Sequence, residues 1–311
     1  MRTLALVVLV VATLPLLGSG YLMSLGIIIA LHGLPAIGLA LLTGYTGQIS
    51  IGHAAFYGLG AYGSALLTLR AGLSPWAALA MTAASVGLLA GLLGRLIFRL
   101  RGHHLAVATL GLGIIVHVAL IELREWTGGP NGLSGIPPLS LLGVPLDRDV
   151  RVYPLAWAAC LAGALAARNL VGSPAGLVMR GVRESERAAA SLGTDIASVK
   201  RAILALSAVF AAVGGALYAH YVGYVSPQPF GVVFSIRLIV MVALGGFTSV
   251  WGVLLATAFV TVLGELLGAL GHADVMVFGL MLVLVMVFAP DGLGSLAGRV
   301  RRRARAVERL T

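Results

Sequence analysis

Long apolar runs separated by short polar breaks occupy nearly the whole chain. A helix that crosses a bilayer needs about 20 consecutive, mostly apolar residues. Runs of that kind fall near residues 3–18, 22–43, 50–69, 75–97, 104–121, 153–170, 202–222, 233–247, 250–270 and 273–289. The pattern predicts an all-α polytopic transmembrane helical bundle of about ten helices, with residues 1–311 forming a single domain. The first run follows Arg2 and has the look of a signal peptide. Leu17-Gly18-Ser19-Gly20 is a poor small-x-small cleavage site, so a retained helix is expected.

Composition agrees with the pattern. Hydrophobic residues make up 59% of the chain, charged residues 10%, and the mean hydropathy is +1.02. Soluble domains carry about 25% charged residues, so this chain has too few to cover a soluble surface. Its 42 glycines suit closely packed membrane helices. A lone cysteine, Cys160, excludes an intrachain disulfide and a cysteine-based zinc cluster.

The net charge of +10 is distributed rather than patched. With both termini in the cytoplasm, 16 of the 21 basic residues fall inside: Arg2, Arg95, Arg99, Arg101, Arg168, Arg180, Arg183, Arg187, Lys200, Arg201 and six in the tail from Arg299 to Arg309. Outside lie Arg70, Arg124, Arg148, Arg151 and Arg237, against Glu122, Glu125, Asp147, Asp149 and Asp274. This asymmetry is the positive-inside pattern and predicts an N-in, C-in topology. Lys200 is the only lysine, no RNA-binding aromatic pattern is present, and no nucleic acid partner is expected.

Three polar segments stand out: an external loop at 122–152, a cytoplasmic segment at 173–200 and a basic cytoplasmic tail at 291–311. In the cytoplasmic segment, Ser173-Pro174 offers a helix start and Arg183–Leu192 is rich in helix formers. One or two short amphipathic helices along the inner surface are predicted. Gly193 is a natural stop.

Catalytic motifs are missing. The sequence holds no GxxxxGK[ST] phosphate loop, no HExxH and no G-x-S-x-G elbow. No catalytic residue, metal site or cofactor is expected. Polar groups inside the membrane are costly and read first as functional. The densest stretch, 43–63, combines Thr43, Thr46, Gln48, Ser50 and His53 with six glycines. A broken helix lining a passage is one reading, with Thr46, Gln48, Ser50 and His53 as passage residues; close glycine packing around a short inner loop is the other. GGFTSVWG (245–252) is a loose echo at a second inner bend. Glu265, near the outer end of its run, reads as a snorkelling or hydrogen-bonded residue.

Six motifs in order then carry a resemblance over roughly residues 35–295: TGYTGQISIGHAAFYGLGAY (43–62), ATLGLG (108–113), TGGPNGLSGIP (127–137), RESERAAASLG (183–193), PQPFGVVFSI with MVALGGFTSVWG (227–252), and FAPDGLGS (288–295). The chain resembles the membrane permease subunits of ATP-binding-cassette importers for branched-chain amino acids, specifically the second of the two paired permeases. That resemblance implies an inner-membrane transport subunit forming half of a translocation pathway and lacking an ATPase site of its own. Its partners would be a homologous permease, two cytoplasmic ATPase subunits and a periplasmic or extracytoplasmic substrate-binding protein. Residues 183–193 would take the role of coupling helix, with Arg183, Glu184, Glu186, Arg187, Leu192 and Gly193 meeting an ATPase subunit. The chain departs from the usual family pattern at His103-His104, Ile114, Ala190, Thr248 and Val253. Relatives of this architecture also carry urea, short amides and other amino acids. A stand-alone secondary transporter or channel for a small polar solute is the alternative, with Glu265 as its only obvious membrane carboxylate.

Overall fold

The computed structural model describes residues 20–100, 102–141, 143–268 and 273–288. The run at 3–18 and the tail at 291–311 lie outside the described residues. Each of the other predicted spans coincides with a helix: α1 (Gly20–Leu39), α2 (His53–Leu69), α3 (Pro75–Ile97), α4 (His103–Glu122), α5 (Asp149–Gly172), then, after the cytoplasmic helices α6 (Pro174–Glu184) and α7 (Glu186–Ser191), α8 (Ile196–Val222), α9 (Val232–Gly245), α10 (Val250–Gly268) and α11 (Ala273–Phe288). Six are long and apolar enough to cross a membrane: α1 with its continuation to Tyr45, α3, α4, α5, α8 and α10. The other three are shorter, at 17 residues for α2, 14 for α9 and 16 for α11.

Local chemistry sets some of the ends. Ser74 accepts a bond from the Ala77 N–H and Pro75 occupies the first turn of α3. Asp195 caps α8 through the Ser198 N–H at 3.0 Å, so this helix starts six residues earlier than the apolar run and includes Lys200 and Arg201. Gly223, at φ 71°, closes its other end.

Helix α8 is the axis of the bundle and packs along α1, α2 and α3. The approach to α2 is reciprocal. A Cβ on Gly60 would stand 2.3 Å from the Ala212 carbonyl oxygen, and one on Gly215 would stand 1.9 Å from that of Tyr57. Small residues on both helices therefore let the backbones touch, the usual basis of membrane helix packing. Cys160 is buried against Gly33 of α1. Helix α4 is the least covered, burying only Leu105, Thr109 and Leu120.

The segment 173–200 forms two short helices, one of the two outcomes expected of it, and the break falls inside the helix-favouring run 183–192. Ser185, extended at φ −158° and ψ 109°, breaks it, and its hydroxyl caps the Ala188 N–H at 3.2 Å. Arg237 lies in α9, within the predicted span 233–247, and stands over the Phe278 ring of α11 at 4.9 Å.

Loops gather at the two ends of the bundle. At the end that the charges assign to the outside, the loop after α4 is strapped down. Strand β1 (Leu133–Ser134) pairs antiparallel with Tyr224–Val225 just past α8. The Ile136 N–H bonds the Gly223 carbonyl at 3.2 Å, and His220 bonds the Pro137 carbonyl at 2.8 Å and Ser64 at 2.8 Å. Asp149, predicted as loop, begins α5 and accepts from Ser24 at 2.6 Å and Tyr221 at 3.0 Å. At the opposite end meet the bends 44–52 and 245–250 and the segment 173–200.

Candidate functional site

The candidate site is the stretch between α1 and α2. Helix α1 does not end cleanly: Ala40–Tyr45 widens into a π-turn, after which residues 47–52 are not helical. Depth follows from the neighbours. Tyr45 OH donates to the Thr248 carbonyl at the inner bend. The Ala54 N–H, nine residues on, donates to Ser235 Oγ of α9 at 3.1 Å. Ser235 lies ten residues before the inner end of α9, about 15 Å along the axis at 1.5 Å per residue. The chain therefore climbs back into the membrane as irregular backbone before α2 begins.

Such backbone survives at membrane depth only when buried in protein or lining a wet cavity, with its polar groups satisfied. Here the satisfaction comes partly from its own residues. Thr43 Oγ1 donates to the Gln48 carbonyl at 3.1 Å, the Gln48 N–H reaches the Leu42 carbonyl at 3.2 Å, Thr46 Oγ1 donates to the same carbonyl at 2.5 Å, and Gln48 Nε2 donates to the Thr46 carbonyl at 3.0 Å. The rest is borrowed: the Ile51 N–H donates to Thr109 Oγ1 of α4 at 3.0 Å. Thr109 and Ser235 are thus site residues that the sequence did not mark individually. Each is a lone hydroxyl in an apolar helix, and each lies in a motif that carries the family resemblance, ATLGLG (108–113) and PQPFGVVFSI (227–236).

Burial alternates along the irregular stretch. Thr46, Gln48 and Ser50 point into the subunit and are buried, while Gly47 is exposed and Ile49 is 46% exposed. His53 is buried at the start of α2, its Nε2 2.8 Å from Ser207 Oγ of α8. Among the described residues, Ser50 Oγ and His53 Nδ1 have no hydrogen-bond partner. The four polar residues expected to line a passage therefore form one group, but they support the stretch from behind. The face it offers outward is glycine and isoleucine.

The cytoplasmic segment sits directly beneath. Arg183 Nη1 donates to the Gly44 carbonyl at 2.5 Å, and Gly47, at φ 70°, lies over the Arg183 stem. Glu186 turns inward to Lys200, Oε1 to Nζ at 2.6 Å, with Lys200 only 3% exposed and Phe98 alongside. Glu184 and Arg187 are exposed, Leu192 is 87% exposed, and Gly193 ends the segment at φ 84°. Of the six residues expected to contact an ATPase, Arg183 and Glu186 thus bond within the chain; Glu184, Arg187 and Leu192 face solvent.

Known proteins resemble this chain over most of its length. A family model described as branched-chain amino acid transport system / permease component matches residues 21–289. The chain is 32% identical to the high-affinity branched-chain amino acid transport system permease protein LivM of Escherichia coli (strain K12), over 93% of this chain and 73% of that protein. It is 34% identical to the LivM of Salmonella typhimurium, over 83% of this chain and 66% of the relative. A probable branched-chain amino acid transport permease protein LivM of Methanocaldococcus jannaschii is 24% identical over 63% of this chain and 61% of its own length. No solved structure matches. By its matched length and its membrane helices, the chain belongs to the family of branched-chain amino acid transport system permease components.

Proposed function

We propose that the chain is one of two paired permeases in an ATP-binding-cassette importer of the inner membrane, forming half of the passage for a branched-chain or related amino acid. The observation that carries this reading is the irregular backbone of residues 47–52 at membrane depth, in a chain of this family. An apolar-tailed zwitterion needs a passage with few fixed polar groups. The Gly47–Ile49 face offers that, while Thr46, Gln48 and His53 form bonds behind it and Ser50 is buried beside them. The partners are a homologous permease, two cytoplasmic ATPase subunits and an extracytoplasmic binding protein, which supplies most of the selectivity. Glu184, Arg187 and Leu192 form the surface offered to an ATPase subunit. ATP-driven closure of the ATPases moves the coupling segment, and the paired permeases open the passage to each side in turn.

Reconstitution tests the reading. Liposomes holding the chain with its permease, ATPase and binding-protein partners should accumulate leucine only with internal ATP, and liposomes holding the chain alone should not. ATP-independent uptake by the chain alone would overturn it. A panel of leucine, other amino acids, urea and short amides, offered with the binding protein, ranks the solutes.

A further inference from the structure

Within that transport reading, we propose that Arg183 is the output arm of the coupling segment: through its bond to the Gly44 carbonyl, displacement of the segment reshapes the interrupted stretch 44–52.

Arg183 meets two points of the interrupted stretch, and these in turn meet the bend at 247–248. The guanidinium holds the Gly44 carbonyl at 2.5 Å, in the last turn of the widened helix. A Cβ on Gly47 would lie 3.3 Å from Arg183 Cγ and 3.6 Å from its Cα, so the left-handed turn that begins the irregular stretch rests on the arginine stem. A Cβ on Gly44 would lie 1.6 Å from the Phe247 carbonyl oxygen, and Tyr45 OH donates to the Thr248 carbonyl. A shift of Arg183 therefore cannot be absorbed at Gly44 alone. It must move the turn at Gly47 or the bend at 247–248.

The segment is built to deliver such a shift. Ser185 divides it, two residues past Arg183. On one side, α6 buries Gly176, Met179 and Val182, one face of an amphipathic helix, and carries Arg183. On the other, α7 is held to α8 by the Glu186–Lys200 pair. Force on the exposed Arg187 and Leu192 thus acts across a one-residue joint, with the axial helix on one side and Arg183 on the other. The receiver is soft. Residues 47–52 lack a helical ladder and are tied to a neighbouring helix through the single hydroxyl of Thr109. A basic residue at a helix end also serves as a topology marker, and a marker would make no difference to coupling.

The test uses the complete transporter in proteoliposomes with loaded binding protein. Cys160 is the only cysteine and is buried, so I49C places a reporter thiol on the exposed face of the stretch. The rate of labelling by a water-soluble maleimide is compared between nucleotide-free and ATP–vanadate-trapped states. We expect the two rates to differ about fivefold or more, the lower end of typical coupling between sites. In I49C/R183Q the difference should shrink below about twofold, with the resting rate kept, and leucine taken up per ATP hydrolysed should fall about tenfold. R183K, which keeps the charge but loses the planar fork, should recover part of both. An unchanged labelling response and uptake ratio in R183Q would overturn the proposal. So would loss of the ATPase subunits from the purified R183Q complex, which would make Arg183 a docking residue. An unsubstituted assembly that fails to use ATP for uptake would overturn the transport reading itself, and that failure shows before any substitution is made.

Discussion

The two ends of the bundle are held together in different ways. At the outer end, backbone pairs with backbone: a two-residue ladder between 133–134 and 224–225, the Ile136–Gly223 bond, and side chains such as His220 and Trp76 that grip loop carbonyls. At the inner end, separate elements meet through individual side chains: Arg183 on Gly44, Tyr45 on Thr248 and Lys200 on Glu186. Backbone ladders spread load over many bonds and resist change as a unit. Single side-chain links can be exchanged one at a time. The difference marks the outer end as the fixed frame and the inner end as the side where the molecule can change shape.

The comparison can be broken most severely at its glycines. A Cβ at Gly44 would overlap the Phe247 carbonyl oxygen at 1.6 Å, and one at Gly132, at φ 68°, would meet that of Val225 at 1.9 Å. Gly44→Ala and Gly132→Ala should each cost about 3 kcal/mol, the upper part of the usual range for overpacking, read as a lowered Tm in detergent micelles. They should differ in function: the surviving Gly132→Ala protein retains ATP-driven uptake, and Gly44→Ala does not. Equal uptake in both would erase the distinction between frame and moving side.

Glu186→Gln comes next. It leaves the buried Lys200 ammonium without its carboxylate, a loss of 3–5 kcal/mol for fully buried pairs. The Glu186 side chain is 35% exposed, so solvent screening reduces the cost to about 2 kcal/mol. The cycle with Lys200→Met locates the effect: the double variant should recover most of the loss, because the stranded charge is gone. Hydrogen exchange should rise in 186–191 and stay unchanged in 133–136. On the outer side, Ser64→Ala removes one bond to His220 and should cost about 1 kcal/mol. Smallest of all, Trp76→Phe deletes an exposed bond to the Ser140 carbonyl and should shift stability by about 0.5 kcal/mol. A larger shift would mean that a single tie governs the outer loop.

Helices were legible in the sequence wherever apolar length and capping agreed. Helix α3 spans 75–97, the bounds of its apolar run, and Ser74 and Pro75 close its start in the structure. The interruption between α1 and α2 was legible as a density of glycine and hydroxyl residues. The direction of its side chains was not, because that direction depends on Thr109 and Ser235, 58 and 181 residues away from the amides they receive. Composition misplaced the start of α8 for a related reason. Lys200 and Arg201 read as loop by charge, whereas an ion pair with Glu186 lets the lysine sit inside a helix. Ser185 shows the limit of propensity: within a helix-rich run, a serine serves as readily as a cap as it does as a member. The bond from Arg183 to a carbonyl 139 positions earlier had no local signature at all.

The π-turn at Ala40–Tyr45 also bears on how the chain tolerates changes in length. A turn of this kind holds one residue more than an α-turn while leaving the helix on either side in place. It is a loop of slack in an otherwise taut ladder. Deleting one residue there should let the ladder close without displacing the irregular stretch that follows, whereas the same deletion in α8 would rotate every residue beyond it by about 100°. Sequences that differ in length by a single residue can therefore present the same inward-facing threonine, glutamine and serine, provided that the difference falls within those six positions.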